Sequence, residues 1–179
     1  MISISSLASQ NCTPDTIGLA GYLATLILNE SAPLTFAVQS PASTFAVLHG
    51  SIETSTPQTV DNFIMTFPNV TTLVFMQIPG SGDDDANLIA AQKLRNKGYI
   101  TYLPAVQAYP DDAYIASGGV DLFISGTSRI IDVGGEVGVH SWSDGTNEAT
   151  DFPMNDAVHT PYINYYISMG MTQQEAQFF

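Results

Sequence analysis

The chain has 179 residues, 45% of them hydrophobic and only 12% charged, which allows one domain with a core of its own and excludes a disordered segment. Four Lys and Arg stand against 17 Asp and Glu, a formal charge of −13. Nucleic acid and anionic membrane surfaces are therefore poor partners, because phosphate contacts need cations the chain lacks.

The one cysteine, Cys12, excludes an internal disulfide and any multi-cysteine zinc site. Three scattered histidines make no ligand cluster, so no metal and no other cofactor is expected. The longest apolar run, Ile17 to Leu28, is about 12 residues, short of the roughly 18 that a bilayer span needs. No basic segment precedes it, so a secretory signal is poorly supported, and cytoplasmic and exported locations both stay open. Thr13 as N-cap and Pro14 at the first helical position predict a helix over 13–29 instead. Residues 30–44, ESAPLTFAVQSPAST, read as a linker or irregular extension, so 1–43 is taken as an N-terminal helical extension and linker.

The core is expected over 44–155. TFAVLHGSI (44–52) is a strand ending at Gly50, and PQTVDNFIMTFP (57–68) sets Val60, Phe63, Ile64 and Phe67 at helical spacing. TTLVFMQIPG (71–80) is a buried strand stopped by Pro79-Gly80. SGDDDANLIAAQKLRNKG (81–98) opens on Asp83, Asp84 and Asp85 and closes on Lys93, Arg95 and Lys97 before Gly98, complementing a helix dipole at both ends. YITYLPAV (99–106) is a further strand. AYIASGGVDLFISG (113–126) starts a helix near Ser117, and SRIIDVGGEVGVHSW (128–142) gives two short strands around Gly134-Gly135. The alternation predicts an α/β domain with a largely parallel sheet, whose sites lie where strands hand over to helices.

Two such handovers carry unusual chemistry: Ile78-Pro79-Gly80-Ser81 and Ala116-Ser117-Gly118-Gly119. Ser117 is either a helix cap or a nucleophile. As a nucleophile it needs a base, oxyanion donors and a group that orients the base. His140, at the end of EVGVH, is the natural base. The N–H of Gly118, free in a first helical turn, and the N–H of Gly80 are the candidate donors. The Gly-x-Ser-x-Gly nucleophile elbow is absent, since Ile115 stands where its first glycine would be.

The stretches FAVLHGSIETSTPQTVDNFIMTFPNVTTLVFMQIPGS and ASGGVDLFISGTSRIIDVGGEVGVHSW together resemble the Clp-protease/crotonase superfamily, and within it the serine-peptidase branch related to the Clp proteolytic subunit. The resemblance rests on an ordered set across residues 45–142. A strand precedes Gly-x-Ile, Pro-Gly ends a second strand, Ala-Ser-x-Gly opens a helix, and a strand ends in His. It implies Ser117 as nucleophile, His140 as base, and Gly80 and Gly118 as the oxyanion hole. Ser81 departs from the pattern, where the family often has a second glycine, and would narrow the substrate groove. The superfamily also implies a homo-oligomer, consistent with an uncovered apolar helix at 13–29 and an aromatic segment at 162–169.

The branch places an orienting Asp well after the His. Asp156, ahead of the apolar helix AVHTPYINYYISMG, is one candidate, equally readable as a helix N-cap; Asp144 and Asp151 are the others. In 156–179, taken as a C-terminal helical segment, TQQEAQFF carries a Thr172–Glu175 capping box and stops about two turns on, as though the family's C-terminal segment were truncated. His49 reads as structural. His159 lies on a tyrosine stripe with Tyr162, Tyr165 and Tyr166 that lines a groove or, more in keeping with an oligomer, packs on a neighbouring subunit; Trp142 walls the pocket or joins the core. The expected function is serine hydrolysis of a peptide or ester. The alternative is a non-catalytic oligomeric scaffold or binding member of the same fold.

Overall fold

The computed structural model describes residues 16–105, 113–143 and 145–178. It is a mixed α/β fold whose main sheet has five strands in the order β1-β2-β3-β4-β6. The strands are β1 (Thr35–Ala37), β2 (Phe45–His49), β3 (Thr72–Phe75), β4 (Ile100–Leu103) and β6 (Ser128–Ile131). All neighbours run parallel except β1, which pairs antiparallel with β2. A separate two-stranded parallel ladder joins β5 (Tyr114–Ala116) to β7 (Glu136–Gly138).

Strand alternation sorts the core. Leu48, Leu73 and Phe75 turn to one face with Val60 and Phe63 of α2 (Thr56–Thr66) and Ala90 and Leu94 of α3 (Asp84–Lys97). Val47, Val74 and Met76 turn to the other face, under Leu19, Tyr22 and Leu23 of α1 (Thr16–Leu23). Such two-sided burial is why β2 and β3 read as continuous apolar runs.

The signposts on α3 are used as the sequence suggests. Asp83 caps the helix by accepting the Ala86 N–H at 3.0 Å, and Gly98 closes it in the left-handed region at φ 84°. Lys93 reaches Asp61 on α2 at 2.6 Å, a partly exposed pair whose contribution is under about 1 kcal/mol.

Several expectations are corrected. The stretch read as linker carries β1, an edge strand fastened to β2 from Thr35↔His49 to Ala37↔Val47. The first helix ends at Leu23 rather than 29, where the Thr25 hydroxyl takes the Tyr22 carbonyl at 2.7 Å. Its proposed start at Thr13 and Pro14 lies outside the described residues, as does Cys12. Ser117 is preceded by a strand of its own, β5, ahead of α4 (Gly118–Ile124). Among the described residues, no helix is long and apolar enough to cross a membrane.

The segments invoked for an oligomer are covered in part by the chain itself, while Ile27 and Ile167 stay exposed. Leu19, Tyr22 and Leu23 are buried, and so are Tyr165 and Met169 of the C-terminal pair α5 (Thr160–Ser168) and α6 (Gln173–Phe178). The Thr172–Glu175 capping box forms: the Glu175 N–H donates to the Thr172 hydroxyl at 3.2 Å and the Thr172 N–H to the Glu175 carboxylate at 2.8 Å.

Candidate active site

Ser117 sits in the sharp turn between β5 and α4. Its φ of 52° and ψ of −129° make it the one non-glycine residue with positive φ among the described residues. Such a conformation costs on the order of 1–3 kcal/mol for a residue with a Cβ and persists only where the surroundings enforce it. Here they do: the Ser117 N–H donates to the Gly138 carbonyl at 2.9 Å, the Val120 N–H to the Ser117 carbonyl at 2.8 Å. An elbow is therefore built without the Gly-x-Ser-x-Gly motif. Ile115, at the position that motif reserves for glycine, is fully buried and bridges Ile78 instead.

The ladder register also delivers His140. Ala116 pairs with Gly138, so Ser117, one residue on, and His140, two residues on, emerge from neighbouring parallel strands at the same end. His140 Nε2 lies 2.7 Å from Ser117 Oγ. Its Nδ1 lies 2.6 Å from the Ser141 carbonyl oxygen. A carbonyl only accepts, so Nδ1 carries the proton; Nε2 is then the bare nitrogen, able to accept from the serine hydroxyl. This is the tautomer a general base needs.

Two amide donors flank the hydroxyl. Neither the Gly80 nor the Gly118 N–H makes a hydrogen bond among the described residues. Gly80 has φ 151°, and a Cβ there would stand 3.1 Å from the Ser117 Cβ and 3.4 Å from its Oγ. The Pro79-Gly80 turn thus abuts Ser117 because Gly80 has no side chain. A Cβ on Gly118 would fall 2.5 Å from Ser81 Oγ and 2.9 Å from Asn87 Nδ2. Asn87, fully buried on α3, donates to the Gly118 carbonyl at 2.9 Å and so holds the chain at the candidate oxyanion donor.

Two of the three acids considered behind His140 are engaged elsewhere. Asp156 accepts the Val158 N–H at 3.0 Å as a helix cap, and Asp151 accepts the Glu148 N–H at 2.8 Å; the Ser141 carbonyl takes the imidazole. Asp144 lies outside the described residues.

A pocket of about 350 Å³ opens beside Ser117 and His140. Its far wall comes from residues the sequence assigned elsewhere. Asp84 opens α3, where it reads as a helix-dipole acid, yet it also accepts the Ser81 hydroxyl at 2.5 Å and the Tyr162 hydroxyl at 2.8 Å. Asp121 on α4 accepts the Tyr166 hydroxyl at 2.9 Å. Burial, reinforced by the Asp84 charge, pushes the Asp121 carboxyl up to about 7, against the opposing pull of the Tyr166 hydrogen bond and His140. Burial, then the Asp84 hydrogen bond, holds the Tyr162 hydroxyl protonated well above its usual range. The tyrosine stripe thus packs on α3 and α4 of its own chain.

Trp142 stacks parallel to Tyr162 with ring centroids 5.5 Å apart and donates its indole N–H to His159 Nδ1 at 3.2 Å. It separates the first pocket from a second of about 250 Å³, whose lining includes Phe152, Met154, Ile163 and Phe178. His49 is remote in role: buried, it accepts the Asn29 N–H at 3.4 Å, and burial lowers its pKa. The sequence missed Asn87 and the Asp84–Tyr162 and Asp121–Tyr166 pairs; for the acids the only signal was their carboxylates, and long-range pairing leaves no local pattern. No family model, curated protein or solved structure matches the chain.

Proposed function

We propose that the protein is a serine hydrolase, a peptidase or esterase working through an acyl-enzyme at Ser117. The observation that carries this reading is the 2.7 Å approach of Ser117 Oγ to the bare His140 Nε2 beside two uncommitted amides. Attack of Oγ on a substrate carbonyl forms the new C–O bond while His140 Nε2 takes the hydroxyl proton. The carbonyl oxygen becomes an oxyanion received by the Gly80 and Gly118 N–H groups. Collapse breaks the bond to the leaving group, which departs with the proton from His140. Water then attacks the acyl-enzyme, His140 accepting its proton, and collapse returns that proton to Ser117.

Among the described residues the Ser141 carbonyl, rather than a carboxylate, orients the base. It fixes the tautomer but supplies no full negative charge to stabilise the imidazolium, so slower turnover than in a complete triad follows. The Clp-protease/crotonase resemblance agrees with this reading through the order of the strands and through Gly80, Ser117, Gly118 and His140.

The second reading, a non-catalytic scaffold or binding member, is favoured by one observation: His140 is solvent-exposed and lacks a carboxylate partner among the described residues. A fluorophosphonate probe separates the two. Labelling of wild type that is lost in Ser117→Ala supports the hydrolase; absence of Ser117-dependent labelling rejects it.

A further inference from the structure

The pocket that holds Ser117 and His140 has a chemically lopsided lining. Two carboxylates, Asp84 and Asp121, face it, and they sense each other, since the Asp84 charge raises the Asp121 pKa. None of the chain's four cations lines it. Lys93 is committed to Asp61, and Arg95 donates to the Gly126 carbonyl at 2.8 Å. Arg129 donates to the Ile124 carbonyl at 3.3 Å. Lys97 stands at the last residue of α3, some 20 Å along the helix from Asp84 by helical rise.

The hydroxyls of Ser81, Tyr162 and Tyr166 orient the two carboxylates, but they bring no positive charge. Partly desolvated carboxylates with no Lys or Arg beside them, and only the His140 imidazole to offset their charge, are a destabilising arrangement that a bound cation would relieve. Trp142, Tyr162 and Tyr166 add aromatic surface beside Val120 and Val139, a setting suited to the methylene stem and charged head of a long basic side chain. At about 350 Å³ the space lies within the range of small-ligand pockets, roughly 300–1,000 Å³.

What makes this pair a specificity feature is the cavity it shares with the dyad. The acyl part of a substrate stays bonded to Ser117 through both chemical steps, and a group lodged in this cavity stays beside the reacting carbon. We propose that the substrate carries a cationic side chain, an ammonium or guanidinium, on its acyl part, and that Asp84 and Asp121 select it. This rests on the hydrolase reading above and names its substrate class.

The test uses p-nitrophenyl esters of Nα-acetyl-lysine, Nα-acetyl-norleucine and Nα-acetyl-glutamate on the intact chain, with fluorophosphonate labelling of Ser117 run in parallel. The lysine ester is expected to exceed the norleucine ester at least tenfold in kcat/KM, with the glutamate ester slowest. Asp84→Asn and Asp121→Asn should each cut the lysine-to-norleucine ratio several-fold. Should a variant fail to fold, the wild type alone decides: Nα-acetyl-lysinamide should protect Ser117 from labelling at concentrations where Nα-acetyl-norleucinamide does not. Norleucine turnover or protection equal to that of lysine, with Ser117 still labelled, overturns the cationic specificity and leaves the hydrolase reading standing. Absence of Ser117 labelling overturns both.

Discussion

The five-stranded sheet and the β5–β7 ladder are both built on parallel pairing, but they solve different problems. In β3 every residue is buried, with Leu73, Val74 and Phe75 at 0% exposure, and layers of side chains close over both faces. In β7 every residue is exposed, Val137 at 41%, with the following Val139 at 64%. What the ladder contributes is main-chain geometry. Its register fixes where Ser117 and His140 emerge, and the Ser117 N–H to Gly138 carbonyl bond locks the elbow to the strand that leads to His140. The main sheet stores stability in buried apolar area; the ladder adds Ile115 of β5 to that core, but its exposed β7 sets the geometry of the candidate site through backbone hydrogen bonds.

The sharpest way to break that division is to substitute one residue from each region. His140→Ala should lower hydrolysis or Ser117 labelling on the order of 10³-fold, the scale of a lost general base, while leaving Tm nearly unchanged because the imidazole is exposed. Leu73→Ala should do the reverse. It should cost about 2–5 kcal/mol, read as a Tm lower by ~5–15 °C, with labelling per folded molecule preserved. If both variants lose stability equally, the segment from β7 to His140 is part of the core and the division fails.

The same contrast explains what the sequence could tell. Burial on two faces writes itself into composition, so β2, β3 and β4 were readable as apolar runs and α3 from its acid and base ends. β1 was hidden because Thr35–Ala37 lies among Ser, Pro and Thr, and an edge strand needs only its partner's backbone. Ser117 and His140 could be placed in one site only by resemblance, since their meeting depends on the pairing of Ala116 with Gly138. The elbow escapes the Gly-x-Ser-x-Gly motif because Ile115 is no glycine, whereas what defines an elbow is a dihedral property of Ser117. The carboxylate wall was illegible for another reason: Asp84–Tyr162 and Asp121–Tyr166 span 78 and 45 residues.

Gly80 tests how far main-chain geometry, rather than side-chain chemistry, sets the site. Its φ of 151° is poorly tolerated by L-residues, and an added methyl would press on the Ser117 Cβ at 3.1 Å. Gly80→Ala should therefore displace a donor amide and the nucleophile together, reducing Ser117 acylation roughly 10²-fold with little loss of binding. Stopped-flow labelling by the fluorophosphonate, resolved into affinity and rate, checks this. A variant that acylates at the wild-type rate would remove Gly80 from the oxyanion hole.

The smallest expected effect concerns Asp121, which belongs to neither region fully: it stands on α4, anchored by Tyr166, at the rim between core and pocket. Burial lifts its carboxyl from an ordinary value near 3.8 to about 7. Between those values the folded chain holds the proton that the unfolded chain has released. Stability from this group therefore falls as pH rises from about 4 to about 7 and is flat above. Asp121→Asn removes the titration and keeps an oxygen to accept the Tyr166 hydroxyl. The variant should match wild type near pH 4 and exceed it at pH 8, by about 1–2 kcal/mol once solvent in the pocket screens the charge. Paired thermal melts at the two pH values read this directly. A stability difference that is the same at both would mean that the Asp121 carboxyl keeps its ordinary pKa in the folded chain, and that the acidic wall is solvated rather than desolvated.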